Sequence, residues 1–594
     1  MRRRLIAVLF VLAFAAIDMF AVPALPGKFK YTQPDGTVIT LERHGDEYLH
    51  WTTDDSGNVV EKDDAGYYRA VSEGKIQARR AAARIRRSAA WRARRQNSAQ
   101  KSIALGQKRF LVILVQFSDV SFTSSTAQSD FSSLLNDKGY SNNGATGSAR
   151  DYYYDNSDGR FEPVFDVYGP VTLDNTMAYY GGDNDKGEDK QPHLAVRDGC
   201  KALDSEIDFS QYDNDGDGAV DLVFMYYAGY GEADSKDRED TIWPHQWELT
   251  SGGVRLTLDG KKIDRYACSN ELYGDRSKFF GRMCGIGTAC HEFGHAMGLP
   301  DFYDTDYEEN GESHGLYFFS LMCSGAYINE GRTPPRFNAV ERVMLGWMDE
   351  SDVKELPGGN NISLASIKDN VAFRSNTTMD GEYFVYECRD YTGWDSYIPY
   401  GLLVYHVDKS KGRYVTGNMT PFRLWDEWVS YNSINAYGAH PCCYVIPSAD
   451  QTNLNYEPDY MSQFPFPGRN KVTSFTPIDW NGEAGPEISS ILFNTTDRTV
   501  YMNVKPVGVK EPSLADLGYA SIDLGEGVFT AGESLELKLS VPEKSVPSSV
   551  IWYFDGNKVA GSTVSLAKGV HKVKAALTYS NGRKEFISAE LKAD

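Results

Sequence analysis

Cysteine is scarce in this chain of 594 residues, which contains only eight. That density is too low for a scaffold held together by disulfides, so the chain must depend on hydrophobic cores. An even number of cysteines makes some disulfides plausible if the chain is exported. Cys442 and Cys443 are adjacent and would need separate partners, and the sequence does not determine a pairing.

Positively charged residues are also fewer than negatively charged ones. The chain has 61 Lys and Arg against 82 Asp and Glu, which gives a formal net charge of −21. A surface of this sign argues against nucleic acid as a general partner. It suits a soluble protein that acts outside the cell and that uses carboxylate-rich cation sites.

Long apolar runs are missing except at the N-terminus, where residues 2–4 are arginines and residues 5–16 are apolar. This pattern, with the small residue Ala21 at its end, predicts a signal peptide over residues 1–21. The run is too short to span a bilayer comfortably and Asp18 interrupts it, so we expect no stable membrane anchor. The expected location is therefore secreted or periplasmic, after removal of the signal peptide.

The most informative segment is His291-Glu-Phe-Gly-His-Ala-Met-Gly-Leu-Pro-Asp301. On a helix, positions i and i+4 share a face, so His291 and His295 can bind one cation. Glu292 can reach a zinc-bound water without binding the metal, and it is predicted to be the general base. Gly298 lets the chain turn, so that Asp301 can return as the third zinc ligand.

The third ligand and the oxyanion stabiliser are less closely defined by the pattern. Spacing favours Asp301, but four other residues of suitable type follow it: Asp304, Glu308, Glu312 and His314. For the group that stabilises the oxyanion, the sequence offers Tyr327 and His245 without deciding between them.

This segment resembles the extended zinc motif of the metzincins, with Asp in place of a third His, and it looks most like the immune inhibitor A family of bacterial metallopeptidases (M6). Phe319-Ser-Leu-Met-Cys-Ser-Gly325 resembles the family's Met-turn, in which Met322 would form the floor under the metal. Three further segments are similar to the family: Ser148 to Ser157, Ile242-Trp-Pro-His and Pro335 to Trp347.

The resemblance covers roughly residues 108–500 and leaves the last ninety residues outside. It implies hydrolysis of peptide bonds in protein or peptide substrates, one catalytic zinc and a propeptide ahead of the catalytic domain. The predicted function is therefore that of a secreted zinc endopeptidase, made as a zymogen and acting as a monomer. The alternative is a catalytically silent protein whose β-domains bind surface carbohydrate or protein.

A second cation site is predicted in the loop Asp213-Asn-Asp-Gly-Asp-Gly-Ala-Val-Asp221, where carboxylates alternate along the chain. Calcium needs six to eight oxygen ligands, and a tight loop supplies them in this way. The predicted ligands are the side chains of four aspartates and one main-chain carbonyl: Asp213, Asp215, Asp217, Asp221 and Ala219. Because Phe224 stands where an EF-hand has its bidentate Glu, the loop is predicted to be a structural calcium site.

The fold class we predict is multidomain, with an α/β zincin-type catalytic domain followed by all-β sandwich domains. Apolar runs at 110–117 and 222–227 predict buried strands, residues 146–157 predict a capped helix and residues 283–297 predict the zinc helix. Asp555-Gly556 predicts a turn between two strands near the C-terminus. The predicted boundaries are a signal peptide at 1–21, a propeptide at 22–107, a catalytic domain at 108–350, a jelly-roll-like domain at 351–506 and an immunoglobulin-like sandwich at 507–594.

Eight arginines lie between Ala78 and Gln96. Such a basic segment is readily cut when it is exposed, so we predict that cleavage between Arg79 and Lys108 activates the enzyme. The preceding module has no cysteine, which excludes a thiolate as the blocking group. The sequence leaves open a carboxylate from residues 22–75, His44 or His50, or simple steric cover.

Overall fold

We describe the protein from a computed structural model. It covers thirteen stretches of the chain: residues 22–72, 74–83, 103–184, 187–305, 313–410, 432–436, 438, 440–449, 460–507, 520–525, 529–541, 546–579 and 584–594. The predicted signal peptide and much of the predicted basic cleavage segment lie outside the described residues. The contacts within the chain divide it into two compact units, which are residues 1–507 and residues 508–594.

The first part of the larger unit is an antiparallel meander, which is followed by a helix α1 at residues 74–83. Its strands, in chain order and in sheet order, are β1 (Lys28–Thr32), β2 (Val38–Gly45), β3 (His50–Asp54), β4 (Val59–Lys62) and β5 (Tyr68–Ala70). Alternating side chains from β1 and β2 fill its small core, which includes Phe29 and Leu41. Ala83 of α1 packs against Trp51 of β3, so the helix belongs to this module. We call residues 22–83 the N-terminal module.

A five-stranded sheet of order β7-β6-β8-β12-β9 follows. Its strands are β6 (Gly106–Gln116), β7 (Phe161–Thr172), β8 (Val223–Tyr230), β9 (Gln246–Glu248) and β12 (Arg265–Leu272), with a hairpin of β10 (Leu256–Leu258) and β11 (Lys261–Ile263) beside it. The pairs among β7, β6, β8 and β12 are parallel, whereas β9 runs antiparallel to β12. Leu111 and Val112 of β6 face different cores and are both fully buried, which explains the unbroken apolar run.

Helices cover the faces of this sheet. They are α2 (Ala127–Asn136), α3 (Ala149–Asn156), α4 (Met177–Tyr180), α5 (Pro192–Ala202), α6 (Gly287–Ala296) and α7 (Ala339–Met344). The predicted helix around residue 150 is confirmed, and it begins with a capping box between Ser148 and Asp151. The predicted zinc helix is α6; it ends where Gly298 adopts a φ of +105°.

The rest of the larger unit is β-rich. One sheet has the order β13-β15-β16-β17-β18 and a second has the order β14-β20-β19. Their strands are β13 (Val353–Glu355), β14 (Gly359–Leu364), β15 (Ala372–Asn376), β16 (Glu382–Arg389), β17 (Gly401–Asp408), β18 (Cys443–Ile446), β19 (Glu487–Asn494) and β20 (Thr499–Lys505). Their shared apolar core includes Leu364, Tyr386 and Ile488.

The smaller unit is also built of strands: β21 (Ser521–Asp523), β22 (Ser534–Glu536), β23 (Lys538–Ser540), β24 (Ser549–Phe554), β25 (Asn557–Lys558), β26 (Thr563–Ser565), β27 (Gly569–Thr578) and β28 (Lys584–Ala593). Its largest sheet has the order β25-β24-β27-β28. The predicted turn between β24 and β25 is confirmed, because Asp555 and Gly556 both have positive φ. The molecule is thus multidomain and sheet-rich with few helices.

The disulfides that the even cysteine count made plausible do not form. All eight cysteines are free thiols buried in the structure. Cys200 and Cys290, for example, belong to two different cores on the two faces of the five-stranded sheet that contains β6 and β8. Among the described helices, none has both the length and the apolar character that crossing a bilayer requires.

Candidate metal centre and active site

Helix α6 and the turn after it bring the three predicted zinc ligands together. Nε2 of His291 lies 3.2 Å from Nε2 of His295. Oδ1 of Asp301 lies 3.1 Å from the first of these nitrogens and 3.4 Å from the second. All three side chains are buried, with at most 1% of their surface exposed.

These spacings fit a tetrahedral zinc ion. Zinc binds imidazole nitrogen and carboxylate oxygen at about 2.0–2.1 Å, so two tetrahedral ligand atoms lie about 3.3 Å apart. The observed triangle has edges of 3.1, 3.2 and 3.4 Å. The donor set of two imidazoles and one carboxylate leaves a fourth position open, which is typical of catalytic zinc.

Main-chain carbonyls fix both imidazole rings. Nδ1 of His291 is 2.8 Å from the carbonyl oxygen of Leu321, and Nδ1 of His295 is 2.9 Å from that of Leu299. A nitrogen facing a carbonyl must carry the proton, which leaves each Nε2 with a lone pair directed toward the metal position. Such contacts orient metal ligands and raise their basicity.

Asn432 fixes the third ligand. Its Nδ2 donates to Oδ2 of Asp301 and its Oδ1 accepts from the Asp301 main-chain nitrogen, each over 2.6 Å. This pair of hydrogen bonds directs the other carboxylate oxygen, Oδ1, toward the two histidines. Asn432 lies 131 residues further along the chain, and no pattern in the sequence pointed to it.

Met322, the predicted Met-turn residue, is fully buried. A Cβ atom on Gly294, in the middle of α6, would stand 2.5 Å from its sulfur. Glycine therefore fits between the two metal-binding histidines because Met322 packs closely against the helix there.

Glu292 is fully buried beside the three ligands, and burial raises the pKa of its carboxyl group. Its Oε1 accepts a 2.8 Å hydrogen bond from the main-chain nitrogen of Val22, the first described residue of the N-terminal module. Val22 is itself fully buried. The group that meets the predicted general base in this structure is therefore a main-chain nitrogen.

The residues after Val22 continue along the same surface. The indole Nε1 of Trp243 donates to the carbonyl of Val22 over 3.1 Å, and the Tyr327 hydroxyl donates to that of Pro23 over 2.7 Å. The Leu25 nitrogen then donates to the Ala233 carbonyl. A peptide main chain thus lies against the predicted active site, held as an extended ligand would be.

Of the two residues considered for the oxyanion, Tyr327 contacts a carbonyl in this cleft and His245 does not. His245 is fully buried between the carbonyl of Trp243 and the hydroxyl of Tyr266. Burial lowers its pKa to about 4, so it is a neutral core histidine. The interpretation of His245 as an oxyanion stabiliser is therefore wrong.

Two of the alternative third ligands make other contacts. Asp304 accepts a hydrogen bond from the Ser313 nitrogen, and His314 contacts the carbonyl of Val445. Glu308 and Glu312 lie outside the described residues. His44 and His50, considered as blocking groups, contact Thr53 and Glu232 respectively.

The predicted calcium loop brings three of its carboxylates together. One oxygen each from Asp213, Asp215 and Asp217 lies within 4.8 Å of the others. Lys261 enters this group, with its Nζ 2.6 Å from Oδ2 of Asp213. Hard oxygen donors at such spacing suit calcium, but an ammonium group already neutralises one of them.

The structure does not place Asp221 in that group. Its Oδ2 instead accepts hydrogen bonds from the main chain and side chain of Asn214, and its carboxyl is buried. Ala219 pairs with Lys262 in an isolated bridge beside the loop, and its nitrogen donates to Asp217.

Comparison with known proteins agrees with this geometry. Residues 99–348 match the family described as "Immune inhibitor A peptidase M6, catalytic domain". The chain is 29% identical over 257 residues to "Immune inhibitor A" of Bacillus thuringiensis subsp. alesti, covering 38% of this chain and 36% of that protein. It is 26% identical over 287 residues to "Pre-pro-metalloprotease PrtV" of Vibrio cholerae serotype O1 (strain M66-2), covering 41% and 30%. The chain therefore matches only about a third of the length of these relatives.

Proposed function

We propose that this chain, whose residues 99–348 match the immune inhibitor A peptidase M6 catalytic domain, is a secreted zinc endopeptidase made as a zymogen. The observation that carries the proposal is the buried triangle of His291, His295 and Asp301 with Glu292 beside it. A metallopeptidase needs this combination of an open metal site and an adjacent carboxylate.

Bound zinc would supply Lewis-acid activation of water and of the scissile carbonyl. In this proposal Glu292 takes the proton from the attacking water and delivers it to the leaving amine. Burial raises the pKa of this carboxyl group, which favours the uptake of a proton. Tyr327 is positioned to donate a hydrogen bond to a substrate carbonyl, as it does to Pro23.

The N-terminal module supports the zymogen part of the proposal. Residues 22–25 occupy the surface that a substrate would need, and the main-chain nitrogen of Val22 donates to one of the two carboxylate oxygens of Glu292. If the signal peptide is removed after Ala21, the nitrogen of Val22 becomes a charged α-amino group and its contact with Glu292 becomes ionic. Full activity then requires this segment to leave.

The contacts on either side of residues 84–102 indicate where the activating cut should fall. Ala83 packs in the N-terminal module, whereas Ala104 is fully buried and its carbonyl accepts from Trp347 Nε1. A cut between these two residues would sever the chain between the N-terminal module and strand β6. N-terminal sequencing of the active form tests this, since a fully active protein that starts near Val22 with residues 84–102 uncut would contradict it.

Metal analysis combined with casein hydrolysis tests the enzyme itself. The activated protein should contain one zinc, cut casein and lose activity with a chelator. Glu292→Ala should remain folded and zinc-loaded, with activity about 10²–10⁴-fold lower. Wild-type protein with zinc but no hydrolysis would favour the silent binding protein, and an active Glu292→Ala would remove Glu292 from the role of base.

The three clustered aspartates support a structural calcium ion in the same catalytic unit, held by Asp213, Asp215 and Asp217. Calcium that binds only the folded loop stabilises it in proportion to the logarithm of its concentration over the dissociation constant.

A further inference from the structure

A second cluster of buried charge lies at the contact between the N-terminal module and the catalytic sheet. Nε2 of His50 is 3.2 Å from Oε1 of Glu232 and 3.5 Å from Oδ2 of Asp183. NH1 of Arg43 is also 3.2 Å from Oε1 of Glu232. The side chain of Glu232 is fully buried, and its Oε2 has no hydrogen-bond partner among the described residues.

The basic side chains and the acidic side chains of this cluster lie on opposite sides of the contact. His50 and Arg43 belong to β3 and β2 of the N-terminal module, whereas Asp183 and Glu232 belong to the catalytic unit. If the module leaves, the buried carboxylate of Glu232 loses both of its cations. An ionised group without a partner is costly to keep away from water, so Glu232 must then pair with another cation, take up a proton or become exposed to solvent.

Trp243 connects the pocket to the cleft. Its Nε1 donates to the carbonyl of Val22, next to Glu292, while its ring stacks on His50 at 4.9 Å and 18°. The pocket is thus one indole ring away from the main chain that lies in the active site. A side chain branching from a bound peptide can reach that distance.

The groups that line the pocket favour an organic cation over a calcium ion. Calcium needs six to eight oxygen ligands, whereas one wall here is the face of an indole ring, which supplies none. A guanidinium or ammonium group pairs with carboxylates and also gains from stacking on an aromatic face. His50 makes both kinds of contact in this structure.

We propose that Glu232, Asp183 and Trp243 form a subsite that binds an arginine or lysine side chain of the protein substrate, and that His50 and Arg43 fill it until the N-terminal module leaves. This inference rests on the proposed peptidase function and adds the substrate class. The chain itself offers such side chains in its eight arginines between Ala78 and Gln96, so its own activation segment matches the subsite.

The test uses the activated enzyme and a set of peptides in which arginine is moved through three positions on each side of one scissile bond. Each peptide has a partner with citrulline, which has nearly the same shape but no charge. We expect kcat/KM to favour arginine by about tenfold or more at one position, as for a charge-assisted pair. Glu232→Gln should bring that ratio close to one, and Asp183→Asn should lower it if the first variant does not fold.

Asp237→Asn is the matched control. Asp237 also pairs with the N-terminal module, through Lys62, but its side chain is 35% exposed and lies outside the cluster. The arginine preference should persist in this variant. A preference that survives Glu232→Gln, or equal rates for arginine and citrulline at every position, would overturn the proposal.

A binding measurement separates this inference from the proposed function. Activated protein that carries Glu292→Ala should bind the preferred arginine peptide about tenfold more tightly than its citrulline partner. If the activated protein with intact Glu292 cuts no peptide while the variant shows that preference, the peptidase proposal fails and the subsite stands. Loss of one bound calcium in Glu232→Gln, measured by elemental analysis, would show a metal site instead and overturn the subsite.

Discussion

The metal centre and the acidic loop both gather three potential ligands, but they prepare them differently. At the metal centre each ligand is buried and its far side is held by a group from elsewhere, such as Leu321 for His291 or Asn432 for Asp301. In the loop, Asp213 accepts from its own main chain and from Lys261. Ligands that hydrogen-bond to other parts of the protein keep their geometry without the ion. A loop whose carboxylates already hydrogen-bond to its own main chain gains less stability when it binds one.

The largest effect is expected at the metal centre. His295→Ala should reduce bound zinc from about one per chain to nearly none and abolish hydrolysis, since two protein ligands rarely hold zinc. His314→Ala is the control, because His314 contacts the carbonyl of Val445 and lies near α6 in sequence only. Full zinc content in His295→Ala, or its loss in His314→Ala, would refute the assigned ligand set.

Asn432→Ala tests whether the hydrogen bonds from Asn432 are needed to orient Asp301. Loss of a partner that orients a ligand typically costs about 10–100-fold in metal affinity or activity. Competition with a zinc chelator should reveal this change, while Asp301 itself remains in place. Asn435→Ala is matched to it, since Asn435 contacts the carbonyls of Phe302 and Cys443 and should not alter zinc affinity. Equal zinc affinities in the two variants would contradict the orienting role.

The acidic loop should show a smaller effect, on stability alone. Calcium at a hundredfold excess over its dissociation constant would stabilise the folded unit by about 2.7 kcal/mol. Asp215→Ala should remove most of the resulting rise in melting temperature without loss of zinc. Asp208→Ala removes an exposed carboxylate just before the loop and should keep the rise. An unchanged rise in Asp215→Ala would exclude the calcium site.

The smallest effect concerns Lys261, which competes with a cation for Asp213. Because a partly exposed ion pair contributes at most about 1 kcal/mol, Lys261→Gln should tighten calcium binding by roughly fivefold or less. Lys262→Gln is the control, since the neighbouring lysine pairs with Asp264 instead. Titration of the melting temperature with calcium distinguishes the two, and weaker binding in Lys261→Gln would show that the lysine supports the loop.

The sequence predicted those parts of the site that are local. His291, Glu292, His295 and Asp301 lie within eleven residues, and the helical repeat with a glycine turn is enough to bring them together. The buried strand β6 and the turn at Asp555 were predicted for the same reason, because each depends on neighbouring residues. Disulfides were a poorer prediction, since cysteine pairing depends on distances between separate cores.

Sequence alone therefore determined the ligand types, their order and the chemistry that they allow. Only the tertiary structure decided that Asn432 orients Asp301 and that Val22 meets Glu292 from 270 residues away. The physical reason is that helix and turn geometry is set by adjacent residues. Contacts between distant segments depend instead on how whole sheets pack, and no spacing along the chain records that.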